Sequence, residues 1–322
     1  GYAGIQRYAA VWTGDNHSWW EHLQLSLPMF LGMGLSGVSF VGADVGGFQR
    51  NATHDLYARW VATAAFTPYF RGHTEFGTRR HEPWSFGPTV ETIARRYIQL
   101  RYRLLPYLYT LFEESSRVGH PVMRPMVYQF PDDSRTHQAQ DAFMLGSALL
   151  VAPVVTPGVD HRSVYLPEGR WTDLWTGSVQ NAPARGRTIA VDAPIDRIPL
   201  FLRGGTILPA EGPRRHTGES GDGVLTLLVT PDANGRSAGT LYADEGNGIG
   251  HLQGAYWRGH FTYDDGSLRL RVEHAGLRPR WETIRVIVAG STSASPGAAS
   301  TSGPGAAGPR TAAGPDAPHQ GP

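Results

Sequence analysis

The sequence predicts a mixed fold: an α/β unit that forms the C-terminal part of a (β/α)8 TIM barrel, followed by two antiparallel β-sandwich domains. Three observations support this prediction. Residues 1–118 alternate short apolar stretches with helical patterns, and a polar loop follows each apolar stretch. Beyond residue 119, short β-branched and aromatic runs recur with turn residues between them. Hydrophobic residues make up 40% of the 322-residue chain, enough for the cores of several domains.

The barrel part is predicted to contain three strand–loop–helix units. Its buried strands are expected at residues 8–13, 37–42 and 65–70, where short apolar stretches occur. Helices are expected at residues 18–32, 53–64 and 89–117, the last with a kink at Pro106. Three units cannot close a barrel of eight, and the sequence opens at Gly1 rather than Met. We therefore expect the C-terminal portion of a longer protein, which leaves its localisation open.

The rest of the chain is predicted to form two β-domains, at residues 119–210 and 222–290. Strands are expected in the first at 149–155, 162–165, 171–174, 188–191 and 198–202. In the second they are expected at 224–229, 240–244, 260–263, 268–273 and 283–288. Asp265-Gly266 predicts a hairpin turn, and residues 211–221 a polar linker. The tail at 291–322 is rich in Ala, Gly, Pro and Ser and is predicted to be disordered.

Composition excludes several classes of function. The formal net charge is +1 and the arginines are scattered, which argues against nucleic-acid binding and a basic membrane patch. No run of apolar residues is long enough for a membrane span. Cysteine is absent, so disulfides, thiolate zinc sites and a cysteine nucleophile are excluded. Lysine is absent as well, which excludes Schiff-base chemistry and a P-loop lysine.

The first chemical motif is GIQRYAAVWTGDN, residues 4–16, which ends a predicted strand. On a barrel Asp15 would lie at the C-terminal rim, where active sites are found. The alternative is that Asp15 or Asn16 caps the next helix, since both residue types are preferred caps. Trp12 favours chemistry, because burial of a carboxyl against an indole ring raises its pKa. That pairing suits a general acid that acts on a sugar.

The second motif is VGADVGGF, residues 41–48, with Asp44 at the end of the next strand. Its glycines allow a sharp turn and the close approach of another group. A capping aspartate in a glycine-rich turn is the alternative interpretation. The spacing of the glycines does not fit the dinucleotide-binding pattern G-x-G-x-x-G.

The third motif is FRGHTEFGTRRHEPW, residues 70–84, a loop after the third predicted strand. It places Arg71 and His73 at a third successive strand end, which favours a pocket shared by the three loops. A structural histidine is the alternative. His81 and Glu82 lack the H-E-x-x-H spacing of a zinc site, so no metal is expected. The sequence also lacks G-x-S-x-G, which argues against a serine hydrolase.

These three motifs, in this order, resemble glycoside hydrolase family 31, the α-glucosidase family. The resemblance covers the chain up to about residue 290. Residues 1–118 are similar to the last three strand–helix units of the catalytic barrel, and 119–210 to the proximal β-sandwich. Residues 222–290, with LYADEG, are similar to the distal C-terminal β-domain.

The resemblance implies a retaining glycosidase with two catalytic aspartates, and it assigns the acid/base role to Asp15. It also implies roles in substrate binding. Trp12 and Phe48 would line the walls of the sugar subsite, Asp44 and His73 would hydrogen-bond hydroxyls, and Arg71 would support the carboxylates. Gly72 stands where the family has Asn between the Arg and the His.

One departure from the family pattern concerns the nucleophile. The family places it in a W-x-D-M-N-E context on an earlier strand, and no such segment occurs here. The chain alone is therefore expected to be inactive, although the resemblance implies an α-linked oligosaccharide or glucoside as substrate and no cofactor. Two alternatives stay open: β-domains that bind carbohydrate or are structural, without catalysis, and a related activity such as α-xylosidase, transglycosylase or lyase. Anomer, linkage and oligomeric state stay open too.

Overall fold

The computed structural model describes residues 2–219 and 221–289, so the predicted disorder of residues 291–322 lies outside the described residues. Among the described residues, no helix has the length and apolar character that crossing a membrane requires. Three hydrophobic clusters divide the molecule. One joins the α/β part to both β-domains, and each β-domain has a cluster of its own.

The α/β part contains two short parallel strands, β1 (Val11–Trp12) and β2 (Val41–Gly42). The third predicted strand, at residues 65–70, does not form as expected. The amides of Phe66 and Thr67 instead donate back to the end of the preceding helix, so these residues complete a turn. Pairing resumes only at Tyr69, whose amide donates to the Val41 carbonyl at 3.1 Å. The segment from Tyr69 to Arg71 therefore runs parallel to β2, but it is shorter than the predicted strand.

Four helices cover this part: α1 (Trp20–Leu35), α2 (His54–Ala64), α3 (Pro88–Arg103) and α4 (Leu105–Val118). The single helix expected at 89–117 is thus two helices that meet at Leu104. Pro106 lies in the first turn of α4, where its missing N–H costs nothing, and there it ends the preceding helix. The predicted interruption near Pro106 is present, but it is a complete break between two helices and not a kink within one.

The proximal β-domain is a sandwich. Its larger sheet has the order β3-β4-β5-β10-β7-β8 and is antiparallel throughout. Its strands are β3 (Met123–Pro125), β4 (Phe143–Leu145), β5 (Leu149–Val151), β7 (Gly169–Asp173), β8 (Val179–Ala182) and β10 (Leu200–Arg203). The second layer is the ribbon of β6 (His161–Leu166) and β9 (Arg187–Asp192), which packs Val164 and Leu166 against Trp171 and Phe201 of the larger sheet. A short helix, α5 (Met126–Gln129), follows β3.

The distal β-domain is built on a six-stranded sheet of order β15-β14-β13-β11-β12-β16. Its strands are β11 (Thr206–Glu211), β12 (Val224–Thr230), β13 (Arg236–Asp244), β14 (Tyr256–Asp264), β15 (Ser267–Ala275) and β16 (Thr283–Val288). Strand β11 falls inside the region predicted as the first β-domain, yet it pairs with β12 and so joins the second sheet. The predicted hairpin at Asp265-Gly266 is confirmed, with φ of 41° and 87° at these two residues.

Two arginines of the α/β part donate to several backbone carbonyls each. Arg59 on α2 donates to the carbonyls of Val159, Ala193, Pro194 and Arg197 at 2.9–3.3 Å, and so ties this helix to the proximal domain. On α3, Arg101 donates to the carbonyls of Ala65, Thr67 and Pro68 at 2.7–2.9 Å. Burial lowers the pKa of Arg101 to about 10, so its charge remains at neutral pH. The bonds of Arg101 hold the turn at residues 65–68, which precedes the third loop.

Candidate active site

Three parallel segments end at the same edge of the α/β part. The amide of Thr13 donates to the Gly42 carbonyl at 3.1 Å, and the amide of Val45 donates to the Arg71 carbonyl at 3.0 Å. The loops that follow begin at the carboxyl ends of these segments, where active sites of α/β barrels are built. Each of the three loops carries residues that the sequence marked as candidates.

Asp15 lies in the first loop and is exposed, as is Trp12, with 48% of its surface accessible. The burial of Asp15 against Trp12 expected from the sequence is therefore absent among the described residues. The helix-capping alternative is also wrong, because α1 begins at Trp20, its N-cap is Trp19, and no side chain caps it. Asp15 has no ion pair or hydrogen bond in the described ranges 2–219 and 221–289, so its carboxyl is available for chemistry.

Asp44 lies in the second loop and is buried, with 1% of its surface accessible. Its Oδ1 accepts from Arg71 Nε at 3.0 Å and makes a closer contact with Arg71 Nη2. Its Oδ2 is buried and has no partner within the described residues. A buried carboxylate oxygen without a donor is costly, and a ligand hydroxyl is a donor that would satisfy it.

Arg71, the counter-ion of Asp44, comes from the third loop and is partly exposed. Desolvation acts against its charge, but the hydrogen bond and the charge of Asp44 outweigh that effect, so the pKa of Arg71 is raised. A parallel bridge joins the backbones of the same two residues. The charge pair therefore locks the second loop to the third.

Phe48 and His73 stack on each other across the second and third loops, with ring centroids 5.1 Å apart. His73 is exposed and Phe48 is half-buried. The Phe48 carbonyl accepts from the Glu75 amide at 2.9 Å and from Thr74 Oγ1 at 3.2 Å. The structure thus brings Phe48, His73, Arg71 and Asp44 together in two joined loops.

Asn16 and His81 are residues to which the sequence assigned no role in the sugar site. Asn16 is buried and bonded to the backbone of the Asp44 loop, so it links the first loop to the second. His81, considered from the sequence only as a metal ligand, is buried under the same loop with Nδ1 3.0 Å from the Val45 carbonyl. Its own carbonyl accepts from the hydroxyl of Tyr57. Asn16 lies in the first motif and His81 in the third, but no local pattern indicated that either would bond to the Asp44 loop.

Burial also sets the charge state of His81. It lowers the pKa of the imidazole from its ordinary value of 6.5, since the charged form loses hydration. The bond to the Val45 carbonyl and the carboxylates of Asp44 and Glu82 act in the opposite direction, and Arg79 assists the lowering. The net effect is a neutral His81 at pH 7.

A neutral buried histidine makes stability depend on pH. Below pH 6.5 the unfolded chain takes up a proton at His81 and the folded chain does not, so the free energy of unfolding should fall as the pH falls from 6.5 to the lowered pKa. The slope due to one group is at most about 1.4 kcal/mol per pH unit. Urea unfolding of the 322-residue chain and of His81→Asn at a series of pH values measures it. Equal slopes for the two proteins would contradict the prediction.

Comparison with known proteins places the chain in one family. Residues 1–111 match the sequence model of the glycosyl hydrolases family 31 TIM-barrel domain, and residues 119–208 match that of the family 31 C-terminal domain. Alpha-glucosidase 2 of Bacillus thermoamyloliquefaciens is 43% identical over 285 residues, 88% of this chain and 36% of that protein. A probable glucan 1,3-alpha-glucosidase of Arabidopsis thaliana is 41% identical over 297 residues, 91% of this chain and 32% of that protein.

Solved structures agree with these matches. The glucosidase II alpha subunit bound to Glc1Man2 superimposes with a TM-score of 0.85 at 33% identity, over 91% of this chain and 33% of that one. A GH31 alpha-xylosidase from Xanthomonas citri gives a TM-score of 0.81 at 32% identity, over 90% of this chain and 33% of that one. The chain thus spans about a third of the length of these relatives. The predicted fold class, barrel part and β-sandwich domains, is confirmed, and the chain belongs to glycosyl hydrolase family 31.

Proposed function

We propose that this chain carries the acid/base and hydroxyl-binding part of a glycosidase site that cleaves α-linked oligosaccharides or glucosides with retention of configuration. One observation carries the proposal. Asp44 is buried with one oxygen held by Arg71 and the other without a donor, in a loop bonded to the loop of the exposed Asp15. A free carboxyl group in one loop can protonate a glycosidic oxygen, and the unpaired carboxylate oxygen in the adjoining loop can accept a hydrogen bond from a sugar hydroxyl.

Asp15 is the proton donor and then the base in this proposal. In the first step its carboxyl protonates the glycosidic oxygen, the bond from C1 to that oxygen breaks, and a second carboxylate forms a bond to C1. In the second step the Asp15 carboxylate takes a proton from water as the water oxygen attacks C1 and releases the second carboxylate. Two inversions at C1 leave the product in its original configuration.

The second carboxylate, which is the nucleophile, must come from a barrel segment that these 322 residues do not contain. A retaining site needs its two carboxyl groups roughly 5–5.5 Å apart. The family's nucleophile motif does not occur in this sequence, and the relatives are about three times as long as the matched region. We therefore propose that the chain by itself is inactive and that activity requires a barrel segment that supplies this group.

The remaining candidates bind the sugar. Asp44 Oδ2 and His73 accept or donate hydrogen bonds to hydroxyls, and Phe48 holds the ring of His73 by stacking. Trp12 has an exposed indole face suited to contact with a pyranose ring. Arg71 does not need to touch the sugar, since its hydrogen bonds orient the Asp44 carboxyl group.

Binding of carbohydrate by the β-domains alone is disfavoured by the state of their aromatic side chains. Trp171 and Trp257 are buried in the domain cores. Trp175 is covered by the Arg96 guanidinium, 4.3 Å from the ring centroid, and Tyr256 by the imidazole of His274 at 3.9 Å. A stacking platform needs an open ring face; Trp171 and Trp257 do not offer one, and one face of Trp175 and of Tyr256 is already covered.

A hybrid enzyme tests the proposal. Residues 1–289 replace the matching segment of the Bacillus thermoamyloliquefaciens relative, which supplies the rest of the barrel. We expect the hybrid to hydrolyse maltose and p-nitrophenyl α-glucoside, and the 322-residue chain alone to hydrolyse neither. A folded hybrid that cleaves neither α-glucoside would contradict the proposal. A hybrid that prefers p-nitrophenyl α-xyloside would show that the substrates are α-xylosides and not α-glucosides.

A further inference from the structure

We propose that Asn16 and His81 are positioning residues that hold the Asp44–Phe48 segment in register with Asp15. The inference rests on the proposed function and adds two residues to its site. Neither side chain needs to reach the substrate. Both act on the backbone that carries Asp44 and Phe48, from opposite loops.

Asn16 joins the first loop to the second with both ends of its amide. Its Nδ2 donates to the Asp44 carbonyl at 3.1 Å, and its Oδ1 accepts from the Phe48 amide at 2.8 Å. Its backbone carbonyl accepts from the amides of Phe48 and Gln49, both at 2.9 Å. Because Asn16 directly follows Asp15, these bonds set the distance between the acid/base residue and the segment from 44 to 48.

His81 holds the next peptide of the same segment from the third loop. Its Nδ1 lies 3.0 Å from the carbonyl of Val45, which can only accept, so Nδ1 donates and the neutral ring has a fixed tautomer. The backbone of His81 is held in turn by the hydroxyl of Tyr57. Two successive carbonyls, those of Asp44 and Val45, thus receive donors from two different loops.

The glycines between Asp44 and Phe48 let the backbone of this segment lie close to its neighbours. Gly46 and Gly47 have φ of 91° and 94°, which other residues rarely adopt. A Cβ on Gly47 would lie 2.4 Å from the backbone nitrogen of Ser18, and one on Gly46 would lie 2.8 Å from the ring of Tyr57. The segment is therefore packed against the first loop and against α2, and a Cβ on Gly46 would also lie 3.0 Å from the ring of His81 in the third loop. Loss of either donor would let Asp44 and Phe48 move relative to Asp15.

Hydrogen exchange in the 322-residue chain tests the clamp without reference to activity. In Asn16→Ala the amides of Gly47 and Phe48 should exchange faster by up to about tenfold. The Phe48 amide loses one of its two acceptors, and the Asp44 carbonyl, which accepts from the Gly47 amide, loses the Asn16 Nδ2 donor. The matched control is Asn51→Ala. The Oδ1 of Asn51 accepts from the Arg79 amide at 2.6 Å, so this variant should speed exchange at Arg79 and leave residues 44–48 unchanged. Equal protection of the segment in Asn16→Ala and wild type would overturn the inference.

Kinetics of the hybrid enzyme separate positioning from general stability. Misplacement of the segment should lower kcat/KM for maltose by on the order of 10- to 100-fold in Asn16→Ala and in His81→Phe. His81→Asn should recover most of that loss, since its amide nitrogen can replace Nδ1 as the donor to Val45. Asn51→Ala should match wild type. Failure of His81→Asn to exceed His81→Phe would overturn the role of His81.

The two proposals fail in different ways. An inactive but folded wild-type hybrid overturns the proposed function, and this inference with it. A fully active hybrid whose Asn16→Ala and His81→Phe variants keep wild-type kcat/KM overturns the positioning role alone.

Discussion

Asp15→Asn in the hybrid enzyme should lower kcat/KM for maltose by roughly 10²–10⁴-fold, the usual contribution of a general acid. The amide cannot protonate the glycosidic oxygen, and glucose is a poor leaving group without that proton. The loss should be smaller for p-nitrophenyl α-glucoside, because nitrophenolate leaves without protonation. Hydrolysis of the glycosyl-enzyme then becomes slow, so a burst of nitrophenolate should precede a slow steady rate. Stopped-flow absorbance measures both phases.

Glu75→Gln is the matched control for Asp15→Asn. Glu75 is an exposed carboxylate in the third loop at the same rim, and its side chain has no assigned part in the chemistry. The same change from carboxylate to amide should there leave kcat/KM for maltose close to wild type. If Asp15→Asn also left the turnover of maltose unchanged, the acid/base assignment would be wrong.

Arg71→Met should destabilise the 322-residue chain by about 3–5 kcal/mol, because it leaves the buried Asp44 carboxylate without its counter-ion. Asp44→Asn should cost far less, since Arg71 keeps 36% of its side chain exposed and water can solvate the guanidinium, whereas Asp44 is 1% exposed. The difference follows from burial and not from the geometry of the pair. Urea unfolding at pH 7 measures the free energy of each variant.

The double variant completes this test. Removal of both charges should recover a large part of the stability that Arg71→Met loses, because no buried charge remains without a partner. Simple addition of the two single effects would show that the pair is not coupled. Equal costs for the two single variants would show that Asp44 is hydrated in solution.

Local patterns in the sequence predicted the loops of the site better than the elements beneath them. Each of the three motifs lies in a loop at one edge of the α/β part, because a strand end followed by glycine and polar residues is a local signal. The prediction of a strand over the whole of residues 65–70 was wrong. Phe66 is buried, which made the stretch look like a strand, but its amide bonds to the last turn of α2. Periodicity could not distinguish these two uses of a short apolar run.

Contacts between distant segments account for what the sequence did not reveal. Asn16 bonds to residues 28 and 32 positions away, and His81 to one 36 positions away. No local pattern encodes such pairs. Strands β3 and β4 were also not predicted, because each has only three residues and neither contains a β-branched residue. The family motifs supplied the candidate catalytic and binding residues, whereas the residues proposed to hold them in place required the structure.

The anomeric configuration of a trapped product tests the central claim most directly. The Asp15→Asn hybrid, given p-nitrophenyl α-glucoside and azide, should form α-glucosyl azide, identified by NMR. Azide attacks C1 of the glycosyl-enzyme from the face opposite the nucleophile and, unlike water, needs no base. Formation of the β-azide would mean that Asp15 is the nucleophile, and the absence of azide product with unchanged hydrolysis would mean that Asp15 takes no part in catalysis.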